Sequence, residues 1–463
     1  MINHVNIRVK GKDMKRNNLL NKCMVFVIIA IFCGLAVTSA IGTYDSFILE
    51  RKGKDTPVSS DYPLPPPMTV DMNLEESIFR RMSVREFTEE PVTDEELSTV
   101  LWAACGFTDE ERRTISGIDG VHAGIIYVLK EDAAYKYDSL NHSLVFFKEG
   151  DWRDIVGWQY EAPIQLGLCW DTDKADANFG GAELGQIGQN IQFMANALDL
   201  GTVVCGQIPP AIDPLEIPEN EEGMIVMPLG HPKHPYNFKY RPLWISLLPR
   251  IKESSMSLTT ALEERNDGDS FAGDVSRHER SQLMWSSYGF SYYLDKSESE
   301  MNPLKRHRTV PSAHGYYPFY MYAVTESGIY KYYPNILTKF YTFPVDYLGI
   351  PIVTFMLKIK NGDHRNEIAQ ASSQPSIASA PLSIIIVLDV DMTRPEGYDD
   401  LSGKQARRFW YYEAGASAHN IMLEATALDF SSNIVFPTDV DTIGSLLKLN
   451  EVCLPLFIVP VGK

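Results

Sequence analysis

The chain repeats itself at long range, and in the same order each time. Leu101-Trp-Ala-Ala-Cys-Gly-Phe107 recurs as Met284-Trp-Ser-Ser-Tyr-Gly-Phe290, and Arg113-Thr-Ile-Ser-Gly-Ile-Asp-Gly120 as Arg308-Thr-Val-Pro-Ser-Ala-His-Gly315. Tyr135-Lys-Tyr137 recurs as Tyr330-Lys-Tyr332. GQIGQNIQFMANALDLG (185–201) aligns without a gap to GASAHNIMLEATALDFS (415–431), and Met227-Pro-Leu-Gly230 pairs with Val459-Pro-Val-Gly462. Collinear blocks of this kind mark a tandem duplication. One copy spans 68–250 and the other 255–463, and whatever fold one copy has, the other shares. The 463 residues, 44% of them apolar, supply enough material for two cores of domain size.

Each copy reads as α+β. Leu74 to Arg81 is helical in pattern, and Thr93 with Glu96 forms a capping box ahead of the apolar face Leu97, Val100, Leu101 and Ala104. Gly124–Leu129, Ile164–Trp170, Leu382–Val390 and Leu454–Val461 have strand character. The Ala-rich stretches 185–201 and 415–428 fit buried helices. Residues 341–357 are apolar but broken by Asp346 and two prolines, and read as core.

Ahead of the repeat, the uncharged run Cys23–Thr43 is long enough to cross a bilayer core, and six basic residues precede it in 1–22. It reads as a membrane anchor, or as a signal segment cut after Thr38-Ser39-Ala40; either way the main body is exported. Residues 44–67, with Pro63 and Pro65-Pro66-Pro67, form an extended proline-rich linker able to wrap a surface. The net charge of −18 argues against a nucleic-acid partner. An acidic chain that holds an anion must gather its positive charge in one place. The six cysteines show no metal spacing and read as buried thiols, and the ten histidines form no ligand motif, so no metal is expected.

The run LPPP…LEESIFRRMSVREF…EELSTVLWAACG resembles the opening of the nitroreductase superfamily, and more closely its SagB-type dehydrogenase branch. The second copy carries that branch's RTVPSA-like segment, its Y-K-Y segment and its G-x-x-x-(Q/H)-N helix, so the resemblance covers nearly everything after residue 63. It implies a mixed sheet wrapped by helices, and a dimer with FMN in the interface. It also implies NAD(P)H as electron donor and ping-pong transfer to a small-molecule or peptide substrate. Here the two copies would build that dimer within one monomeric chain.

The resemblance puts the FMN phosphate at Arg81, Ser83 and Arg85, with Lys239-Tyr-Arg241 as the family's K-x-R near the end of the domain. Guanidinium groups suit phosphate because they donate two parallel, charge-assisted bonds. The second copy has Arg265, but Asp267 stands where Ser83 does and Asp269 where Arg85 does, and the sequence given has no K-x-R after Gly462. It keeps instead Pro311-Ser312-Ala313, matching the family segment that reaches the flavin of the other subunit, where the first copy has Ser116-Gly117-Ile118. The losses are complementary. One composite site takes its clamp from the first copy and its cross-interface loop, with Arg308, from the second, so one FMN is expected per chain. Cys205-Gly206 falls where the family places backbone near the flavin ring; Gln189-Asn190 and His419-Asn420 are polar residues in buried-looking helices. Three functional classes follow: a nitroreductase-type FMN oxidoreductase, a SagB-type azoline or peptide dehydrogenase, and a flavin-free binding or structural module at a membrane. The Lys-Tyr pair of azoline oxidases has no clear match, because Lys404-Gln405 lacks the tyrosine and Lys331-Tyr332 is a repeat element.

Overall fold

The computed structural model describes residues 61–463 except Asp119, 156–159, 207–211, 235–243, 294–305, 335–351 and 394–402. The apolar run 23–43 lies outside the described residues. Among those described, no helix is long and apolar enough to cross a membrane.

The repeat is a structural repeat. In the first half, helix α1 (Leu74–Arg80) leads to α2 (Asp94–Cys105) and the long α3 (Ala177–Ala197). Their counterparts in the second are α4 (Leu258–Glu264), α5 (Arg277–Tyr288) and α7 (Gly403–Ala427), while α6 (Arg365–Ala371) and α8 (Val440–Leu447) have no matching α-helix among the described residues of the first. Different residues do the same local work. The capping box of α2 is Thr93 with Glu96, and that of α5 is Ser276 with Glu279. The recurring Trp-x-x-x-Gly has a packing cause. The Trp102 indole N–H donates to Phe107 O at 3.0 Å, and Trp285 to Phe290 O at 2.9 Å. A side chain at Gly106 or Gly289 would strike the indole, so the glycine lets the chain turn beneath the ring.

The first sheet runs β1 (Tyr62–Pro63), β4 (Ser143–Glu149), β3 (Ala133–Asp138), β2 (Gly124–Leu129), β5 (Ile164–Asp171), β8 (Glu221–Gly230) and β6 (Gly201–Thr202), with β7 (Cys205–Gly206) also on β8. The second runs β16 (Ser431–Ser432), β17 (Cys453–Gly462), β15 (Leu382–Asp389), β12 (Phe319–Thr325), β13 (Gly328–Tyr333), β14 (Ile352–Asn361) and β9 (Trp244–Ser246). Position by position, one order is the other reversed. A short ribbon, β10 (Phe290–Tyr293) with β11 (Arg306–Arg308), precedes the Pro311 loop. The proline-rich lead is extended where it is described: β1 pairs with β4, and Met68 N donates to Thr99 Oγ1 at 2.9 Å. Strand β9 lies before the second copy in sequence, yet pairs with β14 of that copy.

The halves meet around an approximate twofold axis. Leu74 N donates to Met256 O at 3.1 Å, and the equivalent Leu258 N to Met72 O at 2.8 Å. At the centre α3 crosses α7 so closely that a side chain at Gly185 would overlap the Tyr412 carbonyl, and one at Gly415 the Ala182 carbonyl. One core cluster mixes Trp285, Tyr412 and Leu423 with first-half residues, so the two halves share apolar packing.

Candidate functional site

The segment after α1 shapes the site. Asn73 caps α1, its side chain accepting from Glu76 N at 2.8 Å, and the helix ends at Arg80. The next residues are clipped to β6 by Val84 N donating to Thr202 O at 2.9 Å. This turns Arg81 inward, where it is 2% exposed. Its Nε donates to Arg308 O of the second half at 2.8 Å, and a terminal nitrogen to Gln192 Oε1 of α3 at 3.3 Å. Ser83 and Arg85 are half-buried, and the Arg85 guanidinium lies 5.9 Å from the Tyr160 ring centre. Arg85 also acts on Cys205, whose thiol burial pushes up to about 12 against the pull of that cation. Arg81, Arg85 and Cys205 thus share one neighbourhood. Lys239 and Arg241 lie outside the described residues.

The second half closes this neighbourhood with α7. A side chain at Gly206 would lie 2.7 Å from the Phe409 ring. One turn along, Tyr412 rests on Gly188, within the electrostatic reach of Arg81 and Cys205, and burial raises its phenol far above its usual range. The Pro311 loop is anchored nearby, Ser312 Oγ accepting from Tyr317 N at 2.9 Å. The Arg308 side chain points elsewhere. Its guanidinium lies over Phe290 at 4.4 Å and Tyr317 at 4.6 Å, and it donates to Tyr288 O at 3.3 Å. Its carbonyl, not its guanidinium, accepts from Arg81. Tyr288 in turn donates to Glu413, a carboxyl that burial pushes up to about 8.

Three buried polar atoms at this place have no hydrogen-bond partner among the described residues: Tyr412 Oη, Gln192 Nε2 and Thr202 Oγ1. Buried polar groups are rarely left unpaired, because desolvation without a bond costs about 1–3 kcal/mol. Loose polar atoms beside two arginines and a glycine floor suit a polar, anionic ligand.

The equivalent place across the axis is filled by the protein itself. Arg265 is 3% exposed and donates to Arg113 O at 3.0 Å and Ile115 O at 2.9 Å, mirroring Arg81. Asp267 forms an ion pair with it, standing in for an external anion. Gln192 is replaced by Met422, Gly188 by Ala418 and Tyr412 by Ala182. Phe436 takes the place of Gly206 and packs on Phe179, their ring centres 4.4 Å apart. These residues do not fit a second flavin. Gln189 and His419 serve the helix crossing. Gln189 donates to Thr309 O at 2.8 Å and Asn420 Oδ1 at 2.9 Å, while His419 Nε2 meets Asn190 Oδ1 at 2.7 Å. The repeated lysines have local partners: Lys136 pairs with Glu221 at 2.5 Å, and Lys331 lies 3.5 Å from the Tyr320 ring centre. Lys404 sits in the first turn of α7. Among the described residues, no group of three or more His, Cys, Asp or Glu could hold a metal.

Tyr412, Gln192, Thr202 and the Phe179–Phe436 pair were not expected as site residues. Extending the ungapped alignment of the two halves a few residues at each end sets Tyr412 against Ala182 and Gly206 against Phe436, and within it Gln192 stands against Met422.

Comparison with known proteins agrees with this architecture. The nitroreductase family model matches residues 78–231 and 273–463. A protein of Methanocaldococcus jannaschii, named as a candidate nitroreductase, is 30% identical over 189 residues, which cover 35% of this chain and 91% of the relative. The crystal structure of a candidate nitroreductase from Anabaena variabilis superimposes with a TM-score of 0.61 at 13% identity, covering 89% of this chain and 93% of that one. That match spans both halves at once and shows the fold. The NADPH:FMN oxidoreductase of Vibrio harveyi, solved with NAD+, matches 36% of this chain and 72% of its own at 24% identity and a TM-score of 0.27.

Proposed function

The chain belongs to the nitroreductase family, and from that premise we propose that it is an FMN-dependent oxidoreductase with one flavin held between its two halves. The observation that carries this reading is the contrast between the two equivalent places. One offers Arg81 and Arg85 beside three unpaired buried polar atoms; at the other Arg265 Nε also lacks a partner, but Asp267 on Arg265 and Phe436 on Phe179 fill the place.

A bound FMN would supply reversible two-electron chemistry, accepting hydride from a donor such as NAD(P)H and passing it to an acceptor. The rest falls to the chain's own residues. Arg81 and Arg85 neutralise the phosphate, and Ser83 adds a hydroxyl. Gly206 lets its backbone lie close beneath Phe409, and the aromatic wall of α7 excludes water and strengthens each charge interaction inside. Arg81 is held in place through Arg308 O and Gln192, so the second half fixes the orientation of the first half's clamp. The acceptor belongs to the small-molecule or peptide class. The apolar run 23–43 adds a tether to a membrane as part of this proposal.

Titration of the purified full chain with FMN tests the reading. A yellow protein holding one equivalent is expected. A colourless protein that refuses added FMN would leave the flavin-free module as the reading, and two equivalents would sink the single-site arrangement.

A further inference from the structure

Tyr412 combines properties that packing alone does not explain. It is 4% exposed, its hydroxyl has no hydrogen-bond partner among the described residues, and it lies on the α7 face that covers Cys205-Gly206. Close approach is built in from the other side. Gly188 has no side chain at the point where the hydroxyl rests, and the matching positions of the other half carry Ala418 for Gly188 and Ala182 for Tyr412. The phenol is therefore particular to the open site. A leucine or phenylalanine would fill the same gap without stranding a hydroxyl in a dry interior.

We propose that Tyr412 is the second half's side-chain contact to the flavin, its hydroxyl hydrogen-bonding to the FMN clamped by Arg81. This rests on the function proposed above and adds a cofactor-contacting residue to it. The hydroxyl stays protonated in the neutral range, so it can donate to an acceptor oxygen or nitrogen of the cofactor. The contact comes from the half that lacks a usable clamp, so the site needs both halves for side-chain chemistry as well as for shape.

The test is Tyr412→Phe in the full chain, read by two measurements. The first is FMN affinity and the absorption spectrum of the bound flavin; the second is thermal unfolding of the flavin-free protein. FMN binding is expected to weaken about 5- to 20-fold with a shifted flavin band, the loss of one hydrogen bond to a buried group. The flavin-free protein is expected to unfold at the same temperature or higher, because an unpaired buried hydroxyl has been removed. A purely structural tyrosine would move stability downward. Unchanged affinity and spectrum in Tyr412→Phe would overturn the inference while leaving the function standing, as would a flavin-free protein clearly less stable than the parent. A parent chain that binds no FMN would overturn both.

Discussion

Glu75 of the first half and Glu424 of the second are held by one side-chain amide. Gln282 Nε2 lies 3.3 Å from Glu75 Oε1 and 2.7 Å from Glu424 Oε1. Both carboxyls are buried, and burial raises both above the ordinary glutamate range, Glu424 the further, with Glu75 adding to the rise. A group raised in the fold contributes fully below its unfolded value and loses that contribution as pH climbs through its folded value. The thermal midpoint of the parent chain should therefore fall as pH rises from acidic to alkaline. Glu424→Gln, which keeps an acceptor for Gln282, should flatten that fall and be the more stable protein at alkaline pH. A midpoint profile that the substitution leaves unchanged would sink this account.

The two arginine positions should respond differently. Arg81→Ala is expected to reduce FMN affinity by about 100-fold, since it removes charge-assisted bonds to a phosphate. Arg265→Ala should leave flavin stoichiometry alone. It should cost about 1–3 kcal/mol of stability, because the Arg113 and Ile115 carbonyls lose their donor. Equilibrium dialysis and urea unfolding measure the two quantities.

Gly206→Phe would copy into the open site the residue that closes its counterpart. Its Cβ would sit 2.7 Å from the Phe409 ring, so Phe409 must shift before the two rings can stack as Phe436 and Phe179 do. We expect flavin binding to be lost with the circular dichroism spectrum intact. A variant that still turns yellow would argue against Gly206 as the floor of the site.

The helix crossing should be intolerant of any added atom. Gly415→Ala forces a methyl group against the Ala182 carbonyl, part of a backbone that cannot move aside. Overpacking of this kind costs about 1–3 kcal/mol, and denaturant unfolding should show it. The same substitution at Gly444, which has open space around it, should have little effect on packing.

Much of this fold is written locally. Strand Gly124–Leu129 and the capping box at Thr93 follow from alternation and capping chemistry that nearby residues settle. The central helices were harder to delimit. The pattern begins the first at 185, but Asp176 caps it, accepting from Asn178 N and Phe179 N at 2.9 Å, and it runs from Ala177. The glycines at 180, 185 and 188 weaken the helical signal because they serve close packing rather than propensity. Its end is set by Asp199 at φ 57°, matched by Asp429 at φ 63°, a left-handed stop more familiar from glycine. Arg81, Ser83 and Arg85 stood out as a motif. Tyr412 did not, since an unpaired hydroxyl is a property of the folded surroundings and leaves no mark on its neighbours in sequence. The inward turn of the Arg308 guanidinium depends likewise on three rings brought together only by folding.

Joining the halves in one chain has a consequence for how such a protein can change. In a dimer of identical subunits each substitution appears twice, so Phe at the position of Gly206 would close both sites at once. Here each position exists singly. One interface could turn its cavity into packing, with an internal carboxylate and a phenylalanine, while the other stayed open. The halves also meet at an effective concentration fixed by their linker, independent of how much protein a cell makes. The closed side is then a fixed support, free to harden under selection that the open side could not survive.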